Sequence, residues 1–560
     1  MKHRRYYIAM LIAGLCWLYS LFTSEPYLYT DNVGVAVVLN GYYANSLSQY
    51  QHPLFCLFVF ALSKIFPFAD MYTTVVHLLI FCELALLMAV LSGDTLNKQI
   101  KYWQLPDILS FSVAVLVCVF LSAGLKLWQA NYTVTAASFL FSGWITLVYA
   151  RKQNNSKRWT VIGIFFIAFG YMLRKEAGLL ILPFVGLSFT AEIITNQQAK
   201  KPLHGVFRRY IPAISLILLL IISQIAFNSF EPSASAQRYN DARTILVDYP
   251  TKTWNDKDEG FSEINKVDYI AATEWLLSET EIINTDTLSD MAEVSIKNDY
   301  EFSAEGFRGA LKNMRRIAGR TDIYMTVMVV LCFLLVLWNV VVQKSGWLKL
   351  ISVSALIGAF IILLYFTFRG RAPLRVWQPT LFGVLFVEIG LLFIGKLRVD
   401  QTGQLGFLLI ISVVLYFSAG QVIAHTEFHS PHTVLSSRVG ADDSAYAQTF
   451  QDDDLYIWAN WHVEVPKYFG EMGKLPTERV LEHNIALGDW TSGQPYYTKF
   501  LERIGHPNPI RDLLEQSNVY IMSDSDYILD FLRLHYGEDI ELVASGTVNG
   551  KTAYRAVHAG

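Results

Sequence analysis

The chain has little of what a soluble catalytic domain needs. Only 17% of its 560 residues are charged, against roughly 25% in ordinary globular proteins. Its five cysteines, Cys16, Cys56, Cys82, Cys118 and Cys332, all lie in apolar stretches, so no disulfide framework joins the long polar segments and a cysteine-rich secreted module is excluded. There is no phosphate loop, no GxGxxG after a strand, no GxSxG, no HExxH and no CxxC pair. That removes nucleotide-driven chemistry and the common hydrolase plans. Fixed-period repeats and low-complexity tracts are missing too. With 45 basic and 48 acidic residues, net charge −3, nucleic acid is not an expected partner.

What the chain does have is apolar length. Hydrophobic residues make up 53% and aromatics 14%, which a water-soluble fold does not tolerate, so the sequence predicts an α-helical polytopic membrane protein. The first run, Tyr6 to Phe22, follows Lys2, Arg4 and Arg5 and has no small-residue cleavage site, so it reads as a retained helix with its N-terminus in the cytoplasm. Further spans are expected at 72–92, 107–124, 132–150, 159–174, 177–194, 210–228, 321–342, 348–366, 376–395 and 405–424, eleven in all. The loops at 151–158, 196–209, 343–349 and 395–398 are basic, and alternate crossing puts each in the cytoplasm. This parity requires that HPLFCLFVFALSKIFPF (52–68) does not cross. It is expected to lie on the outer face, with a second interfacial helix before it, inside an outer loop of residues 23–70.

Two more polar regions fall outside by the same count. Residues 229–320 predict a mostly helical loop capping a cavity, with DYIAATEWLLSETEII at helical spacing. The tail divides the chain into a membrane domain, 1–424, and a small extracytoplasmic α/β domain, 425–560. There NVYIMSD reads as a strand, SDYILDFLRLHYG as a helix and ELVASGTVNGKTAYRAV as a hairpin around Asn549–Gly550.

Charged residues at outer helix ends are the chemical candidates. Arg174, Lys175 and Glu176 stand in YMLRKEAGLL, and Arg369, Arg371 and Arg375 in FRGRAPLR. An outward arginine runs against the positive-inside trend, and its fork matches a lipid phosphate; helix anchoring by snorkelling is the plainer reading. His52 precedes the second interfacial helix and either donates to the same phosphate or begins that helix. Asp31, nine residues past the first span in YLYTDNVGV, suits both a catalytic carboxylate at the water–membrane boundary and an N-cap. Trp128, Gln129 and Asn131 in LKLWQANYT suit sugar stacking and hydroxyl recognition or an interfacial aromatic belt. The acidic runs Asp442–Asp443 and Asp452–Asp454 read as solvated turns, and no metal or other cofactor is expected.

The combination resembles the GT-C superfamily of membrane glycosyltransferases, among them protein O-mannosyltransferases and lipid A aminoarabinose transferases. The matching residues are Asp31 just past the first span, QHPLF at the start of an interfacial helix, and the basic turn YMLRKEAGLLILP. The resemblance implies a GT-C type fold in a bacterial cytoplasmic (inner) membrane. It also implies inverting transfer of a sugar from a polyprenyl-phosphate donor to an extracytoplasmic glycan, lipid or protein acceptor. Asp31 would be the base; Arg174, Arg369, Arg371 and His52 would bind the donor phosphate; Lys175, Trp128, Gln129 and Asn131 would contact substrate. Two other classes share the gross pattern: a polysaccharide polymerase or ligase using a diphosphate-linked oligosaccharide, and a lipid or glycan transporter, which needs midplane charge of the kind Glu83 supplies.

Overall fold

In hydrocarbon every backbone N–H and C=O must be bonded within its own segment, so long apolar runs close on themselves as helices. A helix forms at each of the eleven expected spans: α1 (Arg4–Thr23), α4 (Met71–Leu91), α5 (Leu105–Leu125), α6 (Tyr132–Lys152), α7 (Lys157–Leu173), α8 (Lys175–Gln198), α9 (His204–Asn228), α14 (Ile323–Val342), α15 (Gly346–Phe368), α16 (Leu374–Ile394) and α17 (Gln401–Ala424). Among the described residues eight helices are long and apolar enough to cross a membrane: α4, α5, α6, α8, α9, α14, α15 and α16. The computed structural model describes residues 4–23, 30–43, 47–67, 70–93, 95, 102–125, 132–231, 233–249, 251–255, 261–295, 303–320, 323–370, 373–395, 401–424, 453–459, 461, 465, 478–548 and 550–559.

The centre of the bundle is α6, buried from Tyr132 to Ala150. It meets α7 backbone to backbone, and a Cβ built on Gly143 would lie 2.7 Å from the Gly163 carbonyl oxygen, so only glycine permits that crossing. Buried acids serve as interhelical glue. Glu83 Oε1 accepts from Ser138 and Ser142 of α6 at 2.5 and 2.6 Å, and Glu388 Oε2 accepts from Asn339 and Ser352 at 2.7 and 2.6 Å. Glu83 is thus tied to α6 by hydroxyls.

The basic loops at 151–158, 196–209 and 343–349 gather at one end. Arg151 donates to Asn196, Gln198 to Ser345, and the Lys152 ammonium lies 5.8 Å from the Phe393 ring. The expected polar loop 196–209 is mostly helix, because α8 runs on to Gln198 and α9 starts at His204. Arg209 there is buried and bonded to Glu192 and Asn155, which carries the helix past the apolar run.

Two short helices, α2 (Thr30–Leu39) and α3 (Pro53–Ile65), fill the segment expected to hug the membrane. With 13 residues, α3 is too short to span. It buries Phe55, Cys56 and Val59 and exposes Leu54, Leu57 and Ile65, an apolar outer face that suits lipid.

At this end α10 (Ser233–Arg243) runs into a π-helical turn, Thr244–Asp248, followed by α11 (Lys266–Thr273), α12 (Thr285–Ser295) and α13 (Ala304–Arg320). The helical reading of 268–283 holds only to Thr273. Trp275 takes a left-handed φ of 67°, and the N–H groups of Leu277 and Ser278 donate to the Leu487 carbonyl at 3.2 and 2.9 Å. Contact with the tail therefore replaces the helix.

The tail forms a five-stranded sheet in the order β2-β1-β3-β5-β4, from β1 (Leu455–Trp458), β2 (Asn484–Ala486), β3 (Val519–Ile521), β4 (Ile540–Val548) and β5 (Lys551–His558). Strands β1–β3 are parallel, β5 pairs antiparallel with β3 and β4, and Gly550 turns the hairpin at φ 72°. Helix Asp526–Tyr536 follows β3. The sheet is pinned to the rest of the chain: Asn508 donates to Glu279 at 2.6 Å, Gln49 to Gln494 at 3.2 Å, and Arg503 to the Tyr42 carbonyl at 3.2 Å.

Candidate functional site

One residue separates α7 from α8. Arg174 caps α7 through its N–H to the Gly170 carbonyl and adopts φ −158°, ψ 104°, an extended link that reverses two helices without a loop. Its side chain is therefore held at the junction of two helices rather than on a loop. The guanidinium carbon lies 4.8 Å from the Tyr50 ring and 5.2 Å from Tyr132, two rings stacked 6.0 Å apart, and its Nε meets Glu176 at 2.8 Å. A cation over two aromatic faces is fixed in direction as well as in charge.

Arg174 opens into a cavity of about 1020 Å³, bounded by the bundle end, residues from 237–249 with Glu274 and Trp275, and the tail. Lys175, Arg243 and Arg375 line it with Arg174, and Glu176, Asp241, Asp248 and Glu274 supply acids. Arg243 comes from the last turn of α10, buried. Its Nη2 donates to Tyr50 Oη at 3.0 Å, Thr244 Oγ1 at 3.0 Å and Asp248 Oδ2 at 3.3 Å, and its guanidinium lies 5.5 Å from Trp275. Tyr50 thus links the two arginines. The π-turn after Arg243 brings Asp248 back to it across five residues, a distortion common at functional sites. Burial raises the Asp241 carboxyl above its ordinary range, while Gln237 and Lys175 pull it down. Burial pushes the Tyr527 hydroxyl, on the tail side, up to about 12, with Glu274 adding to the rise.

The tail's contribution is the GDWTSG turn. Gly488 presses so close to residues 275–277 that a Cβ there would stand 1.9 Å from the Trp275 carbonyl oxygen. This puts Trp490 on the cavity wall, 5.0 Å from Tyr50, with its Nε1 2.9 Å from where Gly34 would carry a Cβ. Asp31 belongs to α2, three residues before Gly34; its side chain lies outside the described residues. Trp128, Gln129, Asn131 and Arg371 also lie outside them.

Two of the residues expected at the donor phosphate stand apart from the cavity. His52 is not a cavity group: its Nδ1 accepts from the Leu54 N–H at 3.2 Å and its Nε2 meets the Leu220 carbonyl and Ser223 hydroxyl at 3.0 Å each. Both ring nitrogens are committed to capping α3 and tying it to α9, and burial lowers the ring's basicity. Arg369 is exposed at the end of α15, where Gly370 at φ 71° turns the chain, and it does not line the cavity. Arg375, the second residue of α16, does. Among the described residues no cluster of three or more His, Cys, Asp or Glu side chains is arranged to hold a metal.

Comparison with known proteins gives little more. Neither a protein-family profile nor a curated protein matches the chain. Two solved structures, ArnT from Cupriavidus metallidurans in the apo state and the same protein bound to undecaprenyl phosphate, align over 98% of this chain and 97% of theirs at 11% identity, with TM-scores of 0.37 and 0.34. Similarity at that level assigns no residue.

Sequence reasoning missed Arg243, Trp275, Trp490 and Tyr50. Arg243 sits in an acidic stretch with no motif around it. Only its place at the end of a polar helix, followed by the apolar TILV, hints that the side chain turns inward.

Proposed function

We propose that the chain is a membrane glycosyltransferase that moves a sugar from a polyprenyl-phosphate donor to an acceptor hydroxyl at the outer face of a bacterial cytoplasmic membrane, with inversion. The observation that carries this reading is the Arg174–Tyr50–Arg243 unit in a 1020 Å³ cavity at the bundle end opposite the basic loops. Arginines held on aromatic rings at bilayer depth match a lipid phosphate better than a soluble anion, which would need no membrane-level site. The GT-C resemblance of residues 1–230 supports the same donor class.

In this reading the acceptor oxygen attacks the anomeric carbon, the bond from that carbon to the phosphate oxygen breaks, and the hydroxyl proton passes to Asp31. Polyprenyl phosphate leaves with its added negative charge beside Arg174, with Lys175 and Arg375 near. Asp248 is already engaged by the Arg243 guanidinium 3.3 Å away. Tyr50, Trp275 and Trp490 offer ring faces for the sugar. Purified protein in vesicles without any ion gradient should release polyprenyl phosphate from a radiolabelled polyprenyl-phosphate sugar when acceptor is added. Uptake of intact donor without cleavage would make the chain a transporter instead.

A further inference from the structure

The helix α13 has no part in the reading above, and its side chains are sorted by chemistry. Arg308, Lys312, Arg315 and Arg316, spaced i, i+4, i+7 and i+8, form one exposed row; Phe307, Ala310, Leu311 and Met314 form the neighbouring face. Ala310 and Met314 are buried, and α13 packs on α15, where Phe307 meets Phe368, the last residue of that span, at 6.4 Å between ring centres. Its other end stops at Arg320, three positions before α14 begins at Ile323. The helix therefore runs from the end of one spanning helix to the start of another, at the level where headgroups lie. Among the described residues none of the four cations forms an ion pair; Arg316 donates only to Asn313, at 2.6 Å. Among the described residues no carboxylate pairs with the row.

We propose that α13 is a docking surface for the phosphate headgroups of anionic phospholipids in the leaflet on the cavity side. The apolar face fixes depth against α15, and the basic row meets lipid phosphates rather than protein carboxylates. This goes beyond the proposed transfer reaction and does not depend on it. Charge complementarity names the occupant: an exposed row of like charge beside two span ends faces the one surface there that is dense in the opposite charge.

The test uses the full-length protein in mixed micelles and counts individually bound lipids by native mass spectrometry. Replacing all four cations (Arg308→Gln, Lys312→Gln, Arg315→Gln, Arg316→Gln) should weaken phosphatidylglycerol association by roughly tenfold or more while phosphatidylcholine association stays level. A second variant, Arg308→Lys, Arg315→Lys and Arg316→Lys, keeps the charge and should retain most of the selectivity. Undiminished phosphatidylglycerol binding in the glutamine variant would overturn the proposal. So would an equal loss for both lipids, which would leave α13 a purely apolar contact.

Discussion

Replacing Gly488 with alanine introduces a methyl carbon 1.9 Å from the Trp275 carbonyl oxygen and 2.8 Å from the Leu277 amide nitrogen. Both neighbours are backbone, so no side chain can swing away, and the turn must lift off the 275–278 segment. Overpacking of this kind costs about 1–3 kcal/mol. Lifting also breaks the two N–H donations to Leu487 from Leu277 and Ser278, each contributing about 1 kcal/mol. The sum is about 3–5 kcal/mol, and tenfold per ~1.4 kcal/mol makes local opening at least about a hundredfold more frequent. Amide hydrogen exchange reads this directly: peptides covering 275–278 should lose at least about a hundredfold protection, with turnover falling because Trp490 rides on the same turn. Gly358→Ala is the control, since nothing lies within 4 Å of a Cβ there. Unchanged protection and turnover in Gly488→Ala would refute the interlock between tail and cavity.

Arg174→Lys keeps the charge and loses the planar guanidinium beside Tyr50 and Tyr132, so donor affinity should drop by about 1–3 kcal/mol in a lipid-binding titration. Asp31→Asn preserves a capping oxygen but accepts no proton; turnover should fall roughly 10²–10⁴-fold with donor binding retained, and an active variant would remove Asp31 from the chemistry. In a background without native cysteines, a cysteine at Asn154 should resist an impermeant thiol reagent added outside, and one at Ser262 should react. Asp241 has its folded-state acidity weakened by burial, so it contributes stability below the ordinary carboxylate range that is lost as pH rises through its elevated value. Asp241→Asn should flatten that acid-side slope in pH-resolved unfolding.

The spans were readable because twenty apolar residues in a row leave a chain few choices, whatever the rest of the sequence does. Helix ends were less so: α9 starts at His204, ahead of the apolar run, because Arg209 finds Glu192 in α8, a pairing invisible to a hydropathy window. In the tail, LYIW and NIA escaped because both faces of these short parallel strands are buried and no alternation survives. Arg174 and Lys175 stood out as charges interrupting apolar sequence, and both line the cavity. Arg243 gave no such signal: its burial comes from Tyr50, a residue 193 positions away, and from a π-turn that no local propensity specifies. His52 showed the opposite problem, a conspicuous residue that caps α3 and ties it to α9.

Because the cavity wall is closed by Gly488, Trp490, Ser523, Ser525 and Tyr527, its last pieces are made after every membrane helix has been synthesised. The contact of Arg503 with Tyr42 spans 461 residues of sequence, and pairings that distant form late in folding. A half-made chain thus holds Arg174 and Tyr50 but leaves them open to water and bulk lipid. Catalytic competence would arrive in one step, when the tail emerges and seats its turn, so premature termination between residue 424 and Gly488 should give an inserted but silent protein.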